Sequence, residues 1–334
     1  MKKSLIALAV LAASGAAMAQ SSVTLYGVAD MAVGKVSRAA GGLGLANDDF
    51  QAITSSTLNN GTSRFGLSGT EDLGGGLKAG FNFEGGLSLA NGAGNLSGGR
   101  GGGQLFSRAA NMSLMGGFGE IRAGRSLTTS FFSVASWELT GTANYSVVAN
   151  QFGFAGPEPR ETGQVMWNSP NWGGLSLSAS TVLKGNGVYT VGGVNKGKYD
   201  LAATYAAGPV TASLAYNKVQ SGPKGLTIGG KFNAGVAQIA ASYNNYETAA
   251  GVTINKGFSL GASANLGGIA LTADLARDTK AKDTDWVVEA KYPLSKRTFA
   301  YGVVMRDGKG KVSPINNPTG TNVTGYAVGV RHNF

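Results

Sequence analysis

No cysteine occurs in the chain, and histidine occurs once, at His332. Without cysteine there is no disulfide scaffold, no thiol nucleophile and no Cys/His zinc site. A serine–histidine–acid triad would have to use His332, third from the C-terminus. Charge is scarce too, at 14% of residues against a usual share of about 25%. That is too little for a typical disordered chain. After the first twenty residues no run of apolar residues is long enough for a membrane-spanning helix. What the chain has instead is glycine, 54 of 334 residues, against an average share of about 7%. Apolar residues reach 43% but stand singly among Gly, Ser, Thr, Asn and Ala, so the mean hydropathy is zero. Such a mixture suits a large sheet with one apolar face and one wet face.

The first twenty residues read as a secretory leader. Lys2 and Lys3 form a basic start, Leu5 to Ala13 an apolar core, and Ala17-Met18-Ala19 a cleavage site. The apolar core is too short to span a bilayer. Cleavage after residue 19 removes two of the 28 basic residues and none of the 18 acids. The mature net charge therefore falls from +10 to +8. The domain reading is a cleaved leader over 1–19 and one barrel over 20–334.

From Ser21 onward the dominant period is two. At the C-terminus Tyr326, Val328, Val330 and Phe334 alternate with Gly325, Ala327, Gly329 and Arg331. Leu77, Ala79, Phe81 and Phe83 alternate with Lys78, Gly80, Asn82 and Glu84, and Trp286, Val288, Ala290 and Tyr292 with Val287, Glu289 and Lys291. Sixteen such segments follow, starting near Val23, Thr62, Leu77, Leu105, Gly119, Gly163, Leu175 and Gly197, then Val210, Gly225, Val236, Lys256, Ile269, Asp283, Arg297 and Thr321. An even count of tilted strands, each long enough to cross a bilayer, fits a closed barrel.

The connections support this. Short ones fall at 72–76, 116–119, 170–174, 208–209, 233–235, 266–268 and 293–296, and long ones at 39–61, 91–104, 127–162, 185–196 and 308–320. Short turns on one side and long loops on the other describe an outer-membrane barrel. The wall must close, because an open edge in lipid leaves backbone groups unpaired. The fold expected is all-β, a sixteen-stranded antiparallel transmembrane β-barrel in a Gram-negative outer membrane. Aromatics near strand ends, Tyr26, Trp167, Tyr216, Tyr292 and Tyr301 among them, read as interfacial girdles.

Five segments together carry a family likeness. They are Ser22-Val-Thr-Leu-Tyr-Gly27, the stretch from Ser63-Arg-Phe-Gly66 to Lys78, Gly117-Phe-Gly-Glu-Ile-Arg-Ala-Gly-Arg125, Asn168-Ser-Pro170 and His332-Asn-Phe334. Over the whole mature chain the sequence resembles the trimeric sixteen-stranded general porins of proteobacterial outer membranes. The resemblance implies a homotrimer with one water-filled pore per subunit. It also implies that the third long loop, 127–162, folds into the barrel and narrows it. That loop's apolar residues, Trp137, Tyr145, Val147 and Val148 among them, argue for packing rather than disorder.

A pore of this kind performs no chemistry; its selectivity comes from charges at a constriction. By the resemblance, Arg64 and Arg160 are wall arginines, and alternation places both on the wet face. Arg108 matches a third, but its parity disagrees: it alternates with Ala110, Met112 and Leu114. Either a bulge resets the register there or that strand lies at a subunit interface. Lys78, Lys231, Arg306 and Arg331 also fall on expected wet faces, and Glu138 is the acid well inside the loop. Val28 stands where family members often have a lysine. Phe334 resembles the terminal signal read by the barrel-assembly machinery. No metal site or cofactor is expected, apart from a loop-bound divalent cation that the sequence does not locate.

The leading function is passive diffusion of small hydrophilic solutes and ions, with moderate anion preference. The alternatives are a solute-specific anion channel with a saturable site, and a sealed adhesin or structural barrel. An enzyme is not expected, since no second histidine is available to serve a serine. The expected partners are further copies of the chain, lipopolysaccharide and other outer-membrane lipid, the assembly machinery and small anions. Nucleic acid is not among them.

Overall fold

The computed structural model describes residues 22–37, 50–53, 58–94, 104–152, 159–308 and 322–334. The leader expected over 1–19, and much of the first, second and last long connections, lie outside these residues.

Sixteen strands form the wall. They are β1 Ser22–Ser37, β2 Arg64–Gly74, β3 Leu77–Gly86, β4 Ala109–Gly116, β5 Gly119–Leu127, β6 Arg160–Asn168, β7 Leu175–Val182 and β8 Lys198–Ala207. Then come β9 Val210–Val219, β10 Lys224–Asn233, β11 Ala237–Glu247, β12 Thr253–Leu266, β13 Ile269–Asp278, β14 Asp283–Pro293, β15 Thr298–Asp307 and β16 Val323–Asn333. Each pairs antiparallel with its sequence neighbour, and β1 closes the sheet by pairing with both β2 and β16. A short strand, Gln51–Ile53, adds to β1. The starts fall within four residues of those expected from alternation. Closure leaves no open edge, which a wall surrounded by lipid requires.

The two faces differ as the period of two demands. On one face large apolar side chains are exposed: Leu214, Ile228, Leu260, Val288 and Val328. On the other, Ser213, Asn217, Thr227, Asn244, Asn255 and Thr272 are buried. This inverts a water-soluble protein and suits lipid outside and a polar interior. The tight turns lie at one end. Gly267 and Gly268, at φ +60° and +89°, join β12 to β13 in two residues, a backbone shape that only glycine adopts without strain. The longest connections leave from the opposite end.

Not every aromatic expected in a girdle is there. Tyr26 and Tyr301 lie on the polar face, hydrogen-bonded to Glu84 and Asp30 respectively. Alternation reports a face only when the neighbours on the two sides differ, and both are surrounded by apolar or small residues.

Candidate functional site

The site begins with Glu84 on β3. Its Oε1 lies 2.7 Å from Nε of Arg108, and its Oε2 lies 3.3 Å from Nε of Arg64 on β2. Tyr26 of β1 donates to the same carboxylate at 3.2 Å and to Asn82 at 3.1 Å. Arg160, opening β6, donates from Nε to the Arg108 carbonyl at 3.1 Å. Arg64 donates to the Thr62 carbonyl at 3.0 Å. Arg331 on β16 reaches Asn60 at 2.8 Å and Asn333 at 3.1 Å. Gly61 lies against the guanidiniums of both Arg331 and Arg64, where a side chain would meet them. Arg64 and Arg108 thus share one glutamate, while the bonds of Arg160 and Arg331 go to carbonyl and amide oxygens.

Tyr26, Glu84, Arg108 and Arg160 border a cavity of about 320 Å³, lined also by Glu120, Arg122 and Phe132. Arg122 and Glu120 of β5 form a bidentate pair at 2.9 Å, and Asn168 of β6 donates to the same glutamate at 3.0 Å. The Arg122 guanidinium lies 6.0 Å from the centre of the Phe132 ring, a cation–π distance.

Phe132 belongs to the segment between β5 and β6. Two short helices form there, α1 Thr129–Ala135 and α2 Val147–Phe152. Thr128 caps α1 by accepting from Phe131 N–H at 3.0 Å. The segment is then bound, residue by residue, to the polar face of successive strands. Thr129 donates to Ser180 of β7 at 3.1 Å. Ser130 donates its N–H and hydroxyl to Asp200 of β8, at 3.0 and 2.6 Å. Ser133 and Trp137 both donate to Ser213 of β9, at 2.7 and 2.8 Å. The indole sits over Gly229 of β10, where any Cβ would overlap it. Lys291 of β14 donates to the Thr140 carbonyl at 2.8 Å, and Tyr145 donates to Glu289 of β14 at 2.6 Å. Burial, together with the Glu289 carboxylate, holds the Tyr145 hydroxyl well above the ordinary phenol range. Val134, Trp137, Tyr145, Val147 and Val148 are buried, as the composition of this loop led us to expect. Each contributes roughly 1.5–3 kcal/mol by leaving water.

The candidate residues divide as follows. Arg64, Arg108, Arg160 and Arg331 come together. Arg108 escapes its parity because β4 starts only at Ala109, and an irregular turn over residues 105–108 resets the register. The strand expected from Leu105 is shorter for the same reason. Lys78 and Lys231 keep polar-face parity but sit near the short-turn end. Glu138 is buried within its own loop, accepting from Thr140, Thr142 and Ser146 at 2.5–2.6 Å; the acid beside the arginines is Glu84. Arg306 is a correction: it shares parity with exposed Val304 and stands opposite Trp286, on the apolar face. The wet-face assignment failed because Val303 and Met305, which do face inward, are themselves apolar. Val28 is buried opposite Arg64. The Phe334 ring covers Gly27, and the two residues exchange backbone hydrogen bonds of 2.9 and 3.0 Å at the seam. His332 hydrogen-bonds Thr298 through Nδ1 at 2.8 Å and stacks on the Phe334 ring. Sequence reasoning passed over Glu84, Glu120 and Arg122, although the alternation of β3 had already put Glu84 on the wet side.

A match to the family model described as Gram-negative porin runs over residues 5–311. The chain belongs to the Gram-negative porin family. Outer membrane porin protein 32 of Delftia acidovorans is 35% identical over the full length of both chains. The major outer membrane protein P.IB of Neisseria lactamica is 30% identical, again end to end. Among solved structures, an anion-selective porin from Comamonas acidovorans superposes with a TM-score of 0.73 at 27% identity, covering 94% of this chain and all of that one. The trimer form of OmpT from Vibrio cholerae shares the fold, with a TM-score of 0.64 at 13% identity over 94% of this chain and 99% of that one. This porin is therefore an outer-membrane channel protein rather than an enzyme.

Proposed function

We propose that this porin is a general diffusion channel for small hydrophilic solutes with a moderate preference for anions. The observation that carries the reading is the basic cluster at the cavity: Arg108 and Arg160 line it beside Glu84, Arg64 shares that carboxylate with Arg108, Arg331 lies with Arg64 against Gly61, and the other lining acid, Glu120, is already paired with Arg122. An arginine-rich ring favours anions by field and by hydrogen bonding. The segment 127–162 acts as the constriction loop. Its successive bonds to β7, β8, β9 and β14 support a course across the interior. The anion selectivity of the Comamonas relative points the same way.

In this reading residues 1–19 are removed, residues 20–334 form the barrel and three copies assemble. Phe334 at the seam is the mark read by the assembly machinery, and lipopolysaccharide surrounds the barrel. The test is a planar bilayer under a KCl gradient. Conductance steps with a reversal potential on the anion side support the proposal. A reversal potential on the cation side ends it, and folded protein without conductance points to a sealed barrel. The convergence of three arginines on one small cavity favours a second reading, a saturable site for a small anion. Conductance that saturates with one anion and not with chloride would select it.

A further inference from the structure

The correction at Arg306 leads to the apolar face. There Arg277 of β13 and Arg306 of β15 flank Thr284 of β14. Arg277 Nη1 donates to Thr284 Oγ1 at 2.7 Å, and Arg306 Nη1 donates to the Thr284 carbonyl at 3.3 Å. Two guanidiniums therefore converge on one residue. Among the described residues neither is in an ion pair. Asp285 lies on the opposite face of β14 and accepts from Gly308 N–H at 2.7 Å. Lys256 on β12 and Lys35 on β1 extend the cationic row on either side, both with the parity of exposed apolar neighbours. All four stand at the end from which the long connections leave.

Beneath the row the wall is grooved. Two apolar cavities, of about 530 and 680 Å³, share Val33, Ala290, Gly302 and Val328. The register sets these four side by side across β14, β15, β16 and β1. The small side chains of Ala290 and Gly302 form the floor, while Phe50 flanks the upper cavity and Tyr292 the lower. Gly302 is four residues along β15 from Arg306, about 13 Å at the rise of a strand.

We propose that this face binds a phosphorylated, acylated lipid of the surrounding leaflet. Its phosphate is held between Arg277 and Arg306, and an acyl chain lies in the groove over Ala290 and Gly302. Cations above an apolar channel complement an anionic-headed amphiphile. A second copy docking through this face about a two-fold axis would set two cationic rows against each other. Planar guanidiniums are suited to phosphate, and each basic residue near a lipid surface strengthens binding several-fold.

The test uses the folded full chain in detergent, with lipid adducts counted by native mass spectrometry. The probes are diphosphoryl lipid A, the same lipid stripped of both phosphates, and inorganic phosphate. Wild type should retain diphosphoryl lipid A. The R277Q/R306Q variant should bind it roughly tenfold or more weakly, and R277K/R306K should recover part of that loss. G302L, which fills the groove, should weaken retention with both arginines intact, and K184Q, in a distant loop, should change nothing. Heat-modifiable electrophoretic mobility checks that each variant is a folded barrel. Equal retention by wild type and R277Q/R306Q overturns the proposal, as does equal binding of the dephosphorylated lipid. Displacement of lipid A by inorganic phosphate would make this a free-anion site instead. A change in oligomeric mass in G302L without lipid would make the groove an interface between copies.

Discussion

The polar face has two unlike halves. Along β1 to β6 and at β16 lie the arginines, of which Arg108, Arg122 and Arg160 line an open cavity with Glu84 and Glu120. Along β8 to β14 the face carries Asp200, Asp274 and Glu289, all buried, with the segment between β5 and β6 packed over it and bringing Glu138. Acids are therefore not missing from the interior. They are covered, and the hydrogen bonds of Asp200 and Glu289 hold a loop in place instead of meeting water. Glu289 is offset locally by Lys291 at 2.8 Å, and an acid beneath the loop lies farther from a passing ion, whose Coulomb attraction falls with distance. Net charge alone would spread a preference over the whole interior, whereas this division concentrates it at the basic cavity and supports the moderate anion preference proposed above.

The strongest way to break the comparison is to empty the open half. Replacing Arg64, Arg108 and Arg160 together with alanine should move the reversal potential toward cations, because Glu84 then stands unpaired in a cavity where Glu120 is already balanced by Arg122. An unchanged reversal potential would mean that the ion path avoids these arginines. Uncovering the other half is the next largest intervention. Trp137→Ala removes a fully buried indole that rests on Gly229 and bonds Ser213. Such a truncation costs roughly 3–5 kcal/mol locally. The loop should loosen, with faster amide exchange over Phe131–Val134, larger conductance and weaker anion preference. Full protection of those amides would show that the polar contacts alone hold the loop. Glu84→Gln should act in the opposite direction and by less. It removes the one acid among the arginines, so anion preference rises while mutual repulsion lowers the melting temperature. A drop in anion preference would show that Glu84 serves mainly to aim Arg64 and Arg108.

Much of this was legible in the sequence, and the failures share one cause. Alternation gave the strand count and the starts because most strands set leucine or valine against serine or asparagine. It misjudged Arg306 because Val303 and Met305 face the loop and are apolar, so both sides of β15 look alike. It misjudged Arg108 because four irregular residues precede β4, and period counting cannot see where a strand begins. The basic cluster itself came from the family likeness of the segments around Arg64, Arg108 and Arg160, with alternation supporting the first and the last. That Glu138 would bond within its own loop was not readable, since its partners Thr140, Thr142 and Ser146 are a turn away in sequence and carry no pattern.

The smallest expected effect tests whether the covered half is held as a unit. Tyr145 donates to Glu289 at 2.6 Å and accepts from Asn60 at 2.8 Å, so one hydroxyl ties the loop both to β14 and to the segment leading into β2. Phenylalanine at this position keeps the ring and deletes both bonds. Glu289 keeps Lys291 at 2.8 Å, so its charge is still partly met. The loss should be about 1–3 kcal/mol, the cost of leaving buried groups unsatisfied. Since Asn60 also holds Arg331 at 2.8 Å, the freed amide should let that arginine move. Tyr145→Phe should therefore shift the reversal potential slightly as well as the melting temperature. A lower melting temperature with an unaltered reversal potential would show that the two halves of the polar face are built independently, with the covered acids playing no part in placing the open arginines.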